Sequence, residues 1–554
     1  MVTADEGHLS MTATQTRPID AEADPTAPSG AAPAIRGGGT EATVAPITGL
    51  AGLLGSSDHK VIGRLYIGTA MLLGSASVVA SALVGIDLVD QTLGDTILDG
   101  QTADQVVSFA GSSAVLLFAL PALLGLAMVV VPLQVGARSI AFPRAAAASY
   151  WAFLVGAGLI ATAYAVNGGP GGGRSDAVDL WVAATGLVVA ALVLGSICVA
   201  TTVLGARTRG MSVERVPMFT WSMLCASVVW LLTLPVLGAL LIIIYLDHRY
   251  GQIFLGGGGP AMYGRVSWIG EQPQVYAIAT PVLGLLLDAA ATAGGARLAR
   301  RGAAQVAIAA FAVLGIGAFA IAAIAPSAAD QPVTKGMALL APLPVLAVLG
   351  LAGVTVRDGT PKPTSGLVGA VLATLLLLLG TVLGAATAFE GALELAGTRW
   401  PTAVSHLTLA AAALGLIAGL YHWATKVLGR AGNEALGRTA PLLVALGAVI
   451  VGGAEAVSGL AGDGLDARAG IEAMNGIAVF GAVMVVLGGV AAAVGLVGRR
   501  RAYEPSDPWG RGQTLEWATA SPPSFANFDG DTPAVTSADP LRATSEDDTE
   551  GATS

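Results

Sequence analysis

The chain alternates between long apolar runs and short polar loops. A helix that crosses a bilayer needs about 20 mostly apolar residues, and helices satisfy their backbone hydrogen bonds internally, as lipid requires. Twelve runs meet this length, at 61–86, 107–132, 146–167, 178–203, 219–246, 273–293, 303–325, 333–356, 366–389, 402–424, 440–461 and 471–497. The pattern therefore predicts an all-α, polytopic membrane protein with twelve transmembrane helices.

The loops differ in positive charge. With the N-terminus placed in the cytoplasm, the inner loops and the segment after the last run hold sixteen Lys and Arg residues, and the outer loops hold six. The first outer loop has no basic residue and carries Asp87, Asp90, Asp95, Asp99 and Asp104. Because basic loops stay on the cytoplasmic side, the sequence predicts a multi-pass protein of the cell membrane with both termini cytoplasmic.

Composition agrees with a lipid environment. The 554 residues are 54% hydrophobic and 12% charged, about half the charge of a soluble protein. The chain has no basic patch with interleaved aromatic residues, so nucleic acid is not an expected partner. The expected organisation is a disordered cytoplasmic tail over 1–57, a twelve-helix domain over 58–500 and a cytoplasmic C-terminal tail over 501–554.

Short motifs recur in a fixed order between and beside the apolar runs. They lie at 58–66, 131–137, 141–144, 149–151, 419–423, 507–509, 514–519 and 521–523. Together these stretches resemble cytochrome c oxidase subunit I, the main subunit of the haem–copper oxidases, over about residues 58–525. The resemblance implies a twelve-helix bundle with haem and copper, aerobic electron transport to oxygen and proton pumping.

Most of the metal ligands that the resemblance implies are replaced. The two low-spin haem ligands correspond to Ala110 and Thr408, and the copper ligands correspond to Gln272, Ile321 and Ala322. A copper centre of this type needs imidazole donors, and Ala and Thr are no substitute for His at haem iron. We expect no metal site at these positions, and the chain is identified as a degenerate member of the family.

The sixth run opens with a modified form of the family's His-Pro-Glu-Val-Tyr motif. Residues 272–276 read Gln-Pro-Gln-Val-Tyr. Gln274 replaces the Glu that carries protons in the family, and an amide does not titrate. Tyr276 remains, but the His to which the resemblance would join it covalently is absent. We therefore expect Tyr276 to be a remnant and not a catalyst.

The proton routes and the magnesium position that the resemblance implies are altered as well. Ser139 and Leu346 stand where the resemblance places an acid and a lysine of the two proton channels. Thr398 and Arg399 replace a His-Asp pair that helps to bind magnesium. Asp288, at the end of the sixth run, is expected to contact solvent.

His406 is the one candidate cofactor ligand left, and it corresponds to the high-spin haem ligand. Two interpretations stay open for it: a ligand of a single haem with one open face, or a neutral His bonded to a neighbouring helix. The expectation is no cofactor, or at most one haem through His406. Glu455, an acid inside the eleventh run, is either a functional acid or a paired residue.

Three functions remain open. The first is a subunit I-like pseudoenzyme that associates with subunits of a respiratory or redox complex and does not reduce oxygen. The second is a working terminal oxidase subunit that passes electrons from cytochrome c to oxygen. The third is a transporter or channel on the same bundle, with Glu455 and the pair Gln272 and Gln274 as its polar lining.

Overall fold

The computed structural model describes residues 49–87, 98–251, 254, 268, 272–320, 326–395, 397–461, 468–497, 505–532 and 534–542. Within these residues the protein is helical and has no strand. Leu53–Ser554 forms one compact unit. The expected tail over 1–57 lies outside the described residues except for its last part, which holds a short helix, Gly49–Leu54.

Eleven described helices are long and apolar enough to cross a membrane. In chain order they and one shorter helix are α1 His59–Asp87, α2 Gly100–Gln134, α3 Pro143–Ala165, α4 Ser175–Gly205, α5 Met218–Tyr250, α6 Gln274–Gly294, α7 Arg301–Gly315, α8 Pro332–Arg357, α9 Ser365–Leu393, α10 Trp400–His422, α11 Glu434–Ala461 and α12 Arg468–Leu496. The all-α membrane fold predicted from the sequence is confirmed.

The seventh helix differs from its expected length. α7 ends at Gly315 after 15 residues, and 321–325, the expected end of this run, lies outside the described residues. A helix of 15 residues is about 23 Å long at 1.5 Å per residue, less than the roughly 30 Å of bilayer hydrocarbon. The count of twelve spans therefore stays a prediction.

The centre of the bundle is formed by α2, α6 and α10. In the second half of α2, every residue from Leu120 to Gln134 is buried, whereas much of α12 faces outward. Successive helices pack as neighbours, above all α3 with α4, α9 with α10 and α11 with α12. A π-helical turn, Ala114–Ala119, interrupts α2 beside α10.

Small residues let two helix pairs approach closely. A Cβ added at Gly63 of α1 would lie 2.5 Å from the carbonyl oxygen of Gly125 in α2, and one at Gly447 of α11 would lie 2.5 Å from that of Gly481 in α12. Helix association in lipid depends on such close packing, because the surrounding chains are as apolar as the side chains.

Residues 505–532 and 534–542, which we call the C-terminal segment, pack across one end of the bundle. Asn527 donates to the carbonyl of Ala137 after α2 and lies 3.0 Å from Nε2 of His59 in α1. Gln513 donates to the carbonyl of Ala296 after α6. We call this end of the bundle the C-terminal face and the other end the opposite face.

The contact between α1 and α2 gives a first prediction. Gly125→Val should destabilise the protein by about 1–3 kcal/mol, because the added atoms have no space, and should lower the midpoint of thermal unfolding in detergent. Gly68→Val on α1 is the matched control, since a Cβ there meets no atom within 4 Å. Equal midpoints for the two variants would contradict the packing account.

Candidate functional site

His406 and Glu455 form a polar pair between α10 and α11. His406 lies on α10, and its Nδ1 is 2.7 Å and 2.9 Å from the two carboxylate oxygens of Glu455 on α11. The Glu455 side chain is 13% exposed and that of His406 is 42% exposed. When the carboxylate is the acceptor and the ring is neutral, Nδ1 carries the proton and the lone pair lies on Nε2.

This arrangement is typical of a histidine that binds a metal through its other ring nitrogen. Histidines that bind metals usually donate their second ring N–H to a carboxylate or carbonyl, which fixes the ring and raises its basicity. Glu455 does this for His406. The two interpretations of His406 are therefore compatible: the side chain is bonded to a neighbouring helix and still offers one nitrogen.

The positions of the low-spin haem ligands offer no such donor. Ala110 is buried on α2, and its carbonyl accepts a hydrogen bond from Ser77 of α1 at 2.9 Å. Thr408 is fully buried on α10, and its hydroxyl donates back to the carbonyl of Val404 at 2.8 Å. A Cβ added at Gly380 of α9 would lie 2.9 Å from this hydroxyl. Thr408 is thus packed against α9.

The start of α6 is buried and closely packed. Gln272 and Gln274 are both buried, and the amide of Gln274 donates to the hydroxyl of Thr233 on α5 at 2.8 Å. Tyr276 has its ring edge-on to Phe311 at 6.0 Å. A side chain at Gly384 of α9 would overlap the Tyr276 hydroxyl, which has no hydrogen-bond partner among the described residues.

The remaining predicted positions are dispersed. Ile321 and Ala322 lie outside the described residues. Leu346 of α8 is 49% exposed on the outside of the bundle, and Ser139 lies in the loop after α2, half-buried. Arg399 donates to the side chain of Asn475 on α12, so this cation is used to join α10 to α12.

A buried polar network lies beneath the helices at the C-terminal face. Asp288 of α6 accepts from the backbone N–H groups of Met218 and Phe219 at the start of α5, both at 2.9 Å. Gln134 of α2 donates to Asp288 at 3.2 Å and to Glu516 of the C-terminal segment at 3.0 Å. Asp288, which was expected to contact solvent, is half-buried, and its carboxylate also caps the N-terminus of α5.

Two titratable groups of this network lie outside the spans. Burial raises the pKa of Glu516 to about 7, while the hydrogen bond from Gln134 opposes this rise. Burial lowers the pKa of Lys426 to about 8, although Glu516 and Asp507 oppose the fall. The Lys426 ammonium donates to the carbonyl of Thr519 at 2.6 Å.

His422 lies beside these groups in an aromatic cage. Its ring stacks on Trp509 at 5.9 Å and meets the rings of Trp423 and Trp517 edge-on at 4.9 Å and 5.4 Å. Neither ring nitrogen has a hydrogen-bond partner among the described residues. His422 therefore packs α10 against the C-terminal segment.

Residues 61–494 match the family described as cytochrome c and quinol oxidase polypeptide I. The chain belongs to this family, the first subunit of the haem–copper oxidases. Cytochrome c oxidase subunit 1 of Bacillus subtilis is 26% identical over 87% of this chain and 81% of the relative. A putative cytochrome c oxidase subunit 1-beta of Streptomyces avermitilis is 33% identical over 42% of this chain and 44% of the relative.

The fold is shared with a solved structure. A haem–copper terminal oxidase, determined as a dimer by cryo-electron microscopy, matches with a TM-score of 0.64. It has 12% sequence identity, and the match covers 80% of this chain and 85% of the other. The likeness shows that the two chains share a fold, and the family match confirms the resemblance found in the motifs.

The family membership corrects the expectation on cofactors. We expected none, or at most one haem, from the replaced ligands, but the first subunit of the haem–copper oxidases carries haems and copper. The expectation was wrong because it treated the loss of individual ligands as the loss of the family's cofactor chemistry.

The residues fit these groups unequally. His406 fits a haem iron, since Glu455 holds its ring through Nδ1 and the other ring nitrogen, in the neutral form, is the one that would bind iron. Ala110 and Thr408 do not fit a haem that needs a donor on each face. Of the three copper positions, only Gln272 is described, and an amide is a weak donor for copper. Of the described residues, no group of three or more His, Cys, Asp or Glu side chains could hold a metal ion.

Sequence reasoning missed the network of Gln134, Asp288 and Glu516. Glu516 lies in the motif 514–519 and Gln134 in the motif 131–137. The sequence therefore marked both stretches as part of the family resemblance, but it assigned neither residue a role. Their contact joins positions 382 residues apart in the chain, and no local spacing indicates such a pair.

The raised pKa of Glu516 predicts a pH-dependent attachment of the C-terminal segment. Because the pKa in the folded state, about 7, exceeds the ordinary value of 4.5, the stabilisation is complete below pH 4.5 and is lost as the pH rises through 7. Opening of the segment should increase by up to about tenfold per pH unit in this window. The cleavage rate by a protease near Arg511 measures it.

Glu516→Gln is the control for this experiment, because its amide does not titrate. The ratio of the wild-type rate to the variant rate removes the protease's own pH dependence. Lys426 does not change the ratio below pH 7.5. Because its pKa is lowered from 10.5 to about 8, its contribution to the stability of the attached segment changes with pH only between about 8 and 10.5. A ratio that stays constant from pH 5 to pH 7.5 would refute the role of Glu516.

Proposed function

We propose that this protein is a membrane subunit of a respiratory or redox complex that binds haem through His406 and does not reduce oxygen. Support for the loss of oxygen reduction comes from one observation above all. The two positions that would hold the second haem carry Ala110 and a Thr408 whose hydroxyl is bonded to its own helix. Neither residue offers the axial donor that a low-spin haem would need.

The residues around His406 support the haem part of the proposal. A haem held by His406 would supply electron transfer or the binding of a small ligand. The chain's own contribution is positional: Glu455 holds the ring through Nδ1, and α10 and α11 keep the two side chains in register. Gln272 and Gln274 supply no titrating group near the start of α6.

A working oxidase remains the alternative that family membership favours, since the relative from Bacillus subtilis is a cytochrome c oxidase subunit. The transporter or channel hypothesis is less well supported. Its main polar residue, Glu455, is bonded to His406 through both carboxylate oxygens and is not a free acid along a path.

The proposal predicts the effect of His406 on haem content. His406→Ala should lower the haem content of the purified protein, because it removes the imidazole that the proposal assigns as the ligand. His248→Ala is the matched control, because His248 lies at the opposite face and pairs with Asp179 at 2.7 Å. A haemochrome assay of the wild type and both variants measures the haem.

Two outcomes would contradict the proposal. Oxygen consumption driven by reduced cytochrome c would establish the working oxidase. Unchanged haem content in His406→Ala would remove His406 as the ligand.

We also propose that the C-terminal face is cytoplasmic and that the protein resides in the cell membrane. The bias of basic residues toward the loops of this face supports this orientation. In intact cells, a membrane-impermeant maleimide should label Lys335→Cys, at the opposite face, and should not label Arg209→Cys until the membrane is opened. The reverse pattern would invert the orientation.

A further inference from the structure

A basic cavity of about 320 Å³ opens on the C-terminal face. It lies between the end of α6, the starts of α9 and α11, and the C-terminal segment. Its lining includes three basic side chains, Lys362, Arg438 and Arg511, together with the indole of Trp509. This cavity is separate from His406, which lies toward the other end of α10.

The one acid that lines the cavity is engaged elsewhere. The Glu434 carboxylate accepts from the backbone N–H of Ser365 at 2.9 Å and from its hydroxyl at 2.7 Å, so its charge serves the N-terminus of α9. Arg511 is held in place by donation to the carbonyl of Thr360 at 2.6 Å. The cavity is therefore lined by three basic side chains and one acid that is already paired, and Arg511 is held in place.

An apolar strip leads away from the cavity along α11. Leu442, Leu446 and Val449 follow Arg438 and are 53%, 54% and 40% exposed. Steps of four, four and three residues keep all of them on one side of a helix. A molecule bound at Arg438 can thus continue along a lipid-facing surface of the same helix.

We propose that this cavity binds the headgroup of an anionic phospholipid, with an acyl chain along the apolar strip of α11. Basic pockets between transmembrane helices suit phosphate-bearing headgroups, and Arg and Lys bind phosphate oxygens by charge-assisted hydrogen bonds. Free phosphate would bind the same basic side chains, but it has no acyl chain to contact the apolar strip. The strip therefore favours the lipid.

Native mass spectrometry of the full chain tests the proposal, with phosphatidylglycerol or phosphatidylcholine added to the micelles of the delipidated protein. Phosphatidylglycerol should bind in preference. The double variant Lys362→Gln and Arg438→Gln should weaken its binding by about 30-fold, given the attraction of each basic residue for an anionic lipid surface. The conservative pair Lys362→Arg and Arg438→Lys should restore it.

Arg209→Gln is the control, since it removes one exposed positive charge from the same face outside the cavity, and it should bind as the wild type does. Leu442→Asn, within the strip, should weaken lipid binding without affecting phosphate. Displacement of phosphatidylglycerol by millimolar inorganic phosphate, with no effect of Leu442→Asn, would replace the lipid by a free anion. Equal binding of the two lipids, or equal binding by the double variant, would overturn the proposal.

Discussion

The interior of a bilayer supplies no water, so a polar side chain in the bundle is stabilised when it finds a partner in the protein, although the Tyr276 hydroxyl has none among the described residues. Three contacts show how this constraint is met. His406 is paired with Glu455 across α10 and α11, Gln274 with Thr233 across α5 and α6, and Thr408 with the backbone of its own helix. These pairings decide which groups stay available for chemistry. Glu455 engages only Nδ1 of His406, whereas the Thr408 hydroxyl donates to the carbonyl of Val404 in its own helix.

At the C-terminal face, outside the spans, burial by the protein itself decides the character of the polar groups. Asp288 is held by the first N–H groups of α5, and Glu516 is buried beside Gln134 without an oppositely charged partner at hydrogen-bonding distance among the described residues. Burial then raises the pKa of Glu516 to about 7. The C-terminal segment therefore ties the helix ends together through a group that is sensitive to pH, and it also lines the basic cavity of Lys362, Arg438 and Arg511.

The sequence predicted the helical bundle well because apolar runs of about 20 residues have one stable form in lipid. Eleven of the runs became helices of spanning length, and α7 did not, since Gly315 ends it after 15 residues. The site was only partly predictable. His406 could be selected by elimination among five His residues, but its partner Glu455 is 49 positions away. The cofactor expectation failed because a list of replaced ligands does not outweigh family membership.

The central claim is that His406, held by Glu455, is a haem ligand of this family member. A cryo-electron microscopy map of the purified protein tests it most directly. The account predicts density for a macrocycle beside Nε2 of His406, with the Glu455 carboxylate on the Nδ1 side of the ring. A map with no macrocycle beside His406 would contradict it.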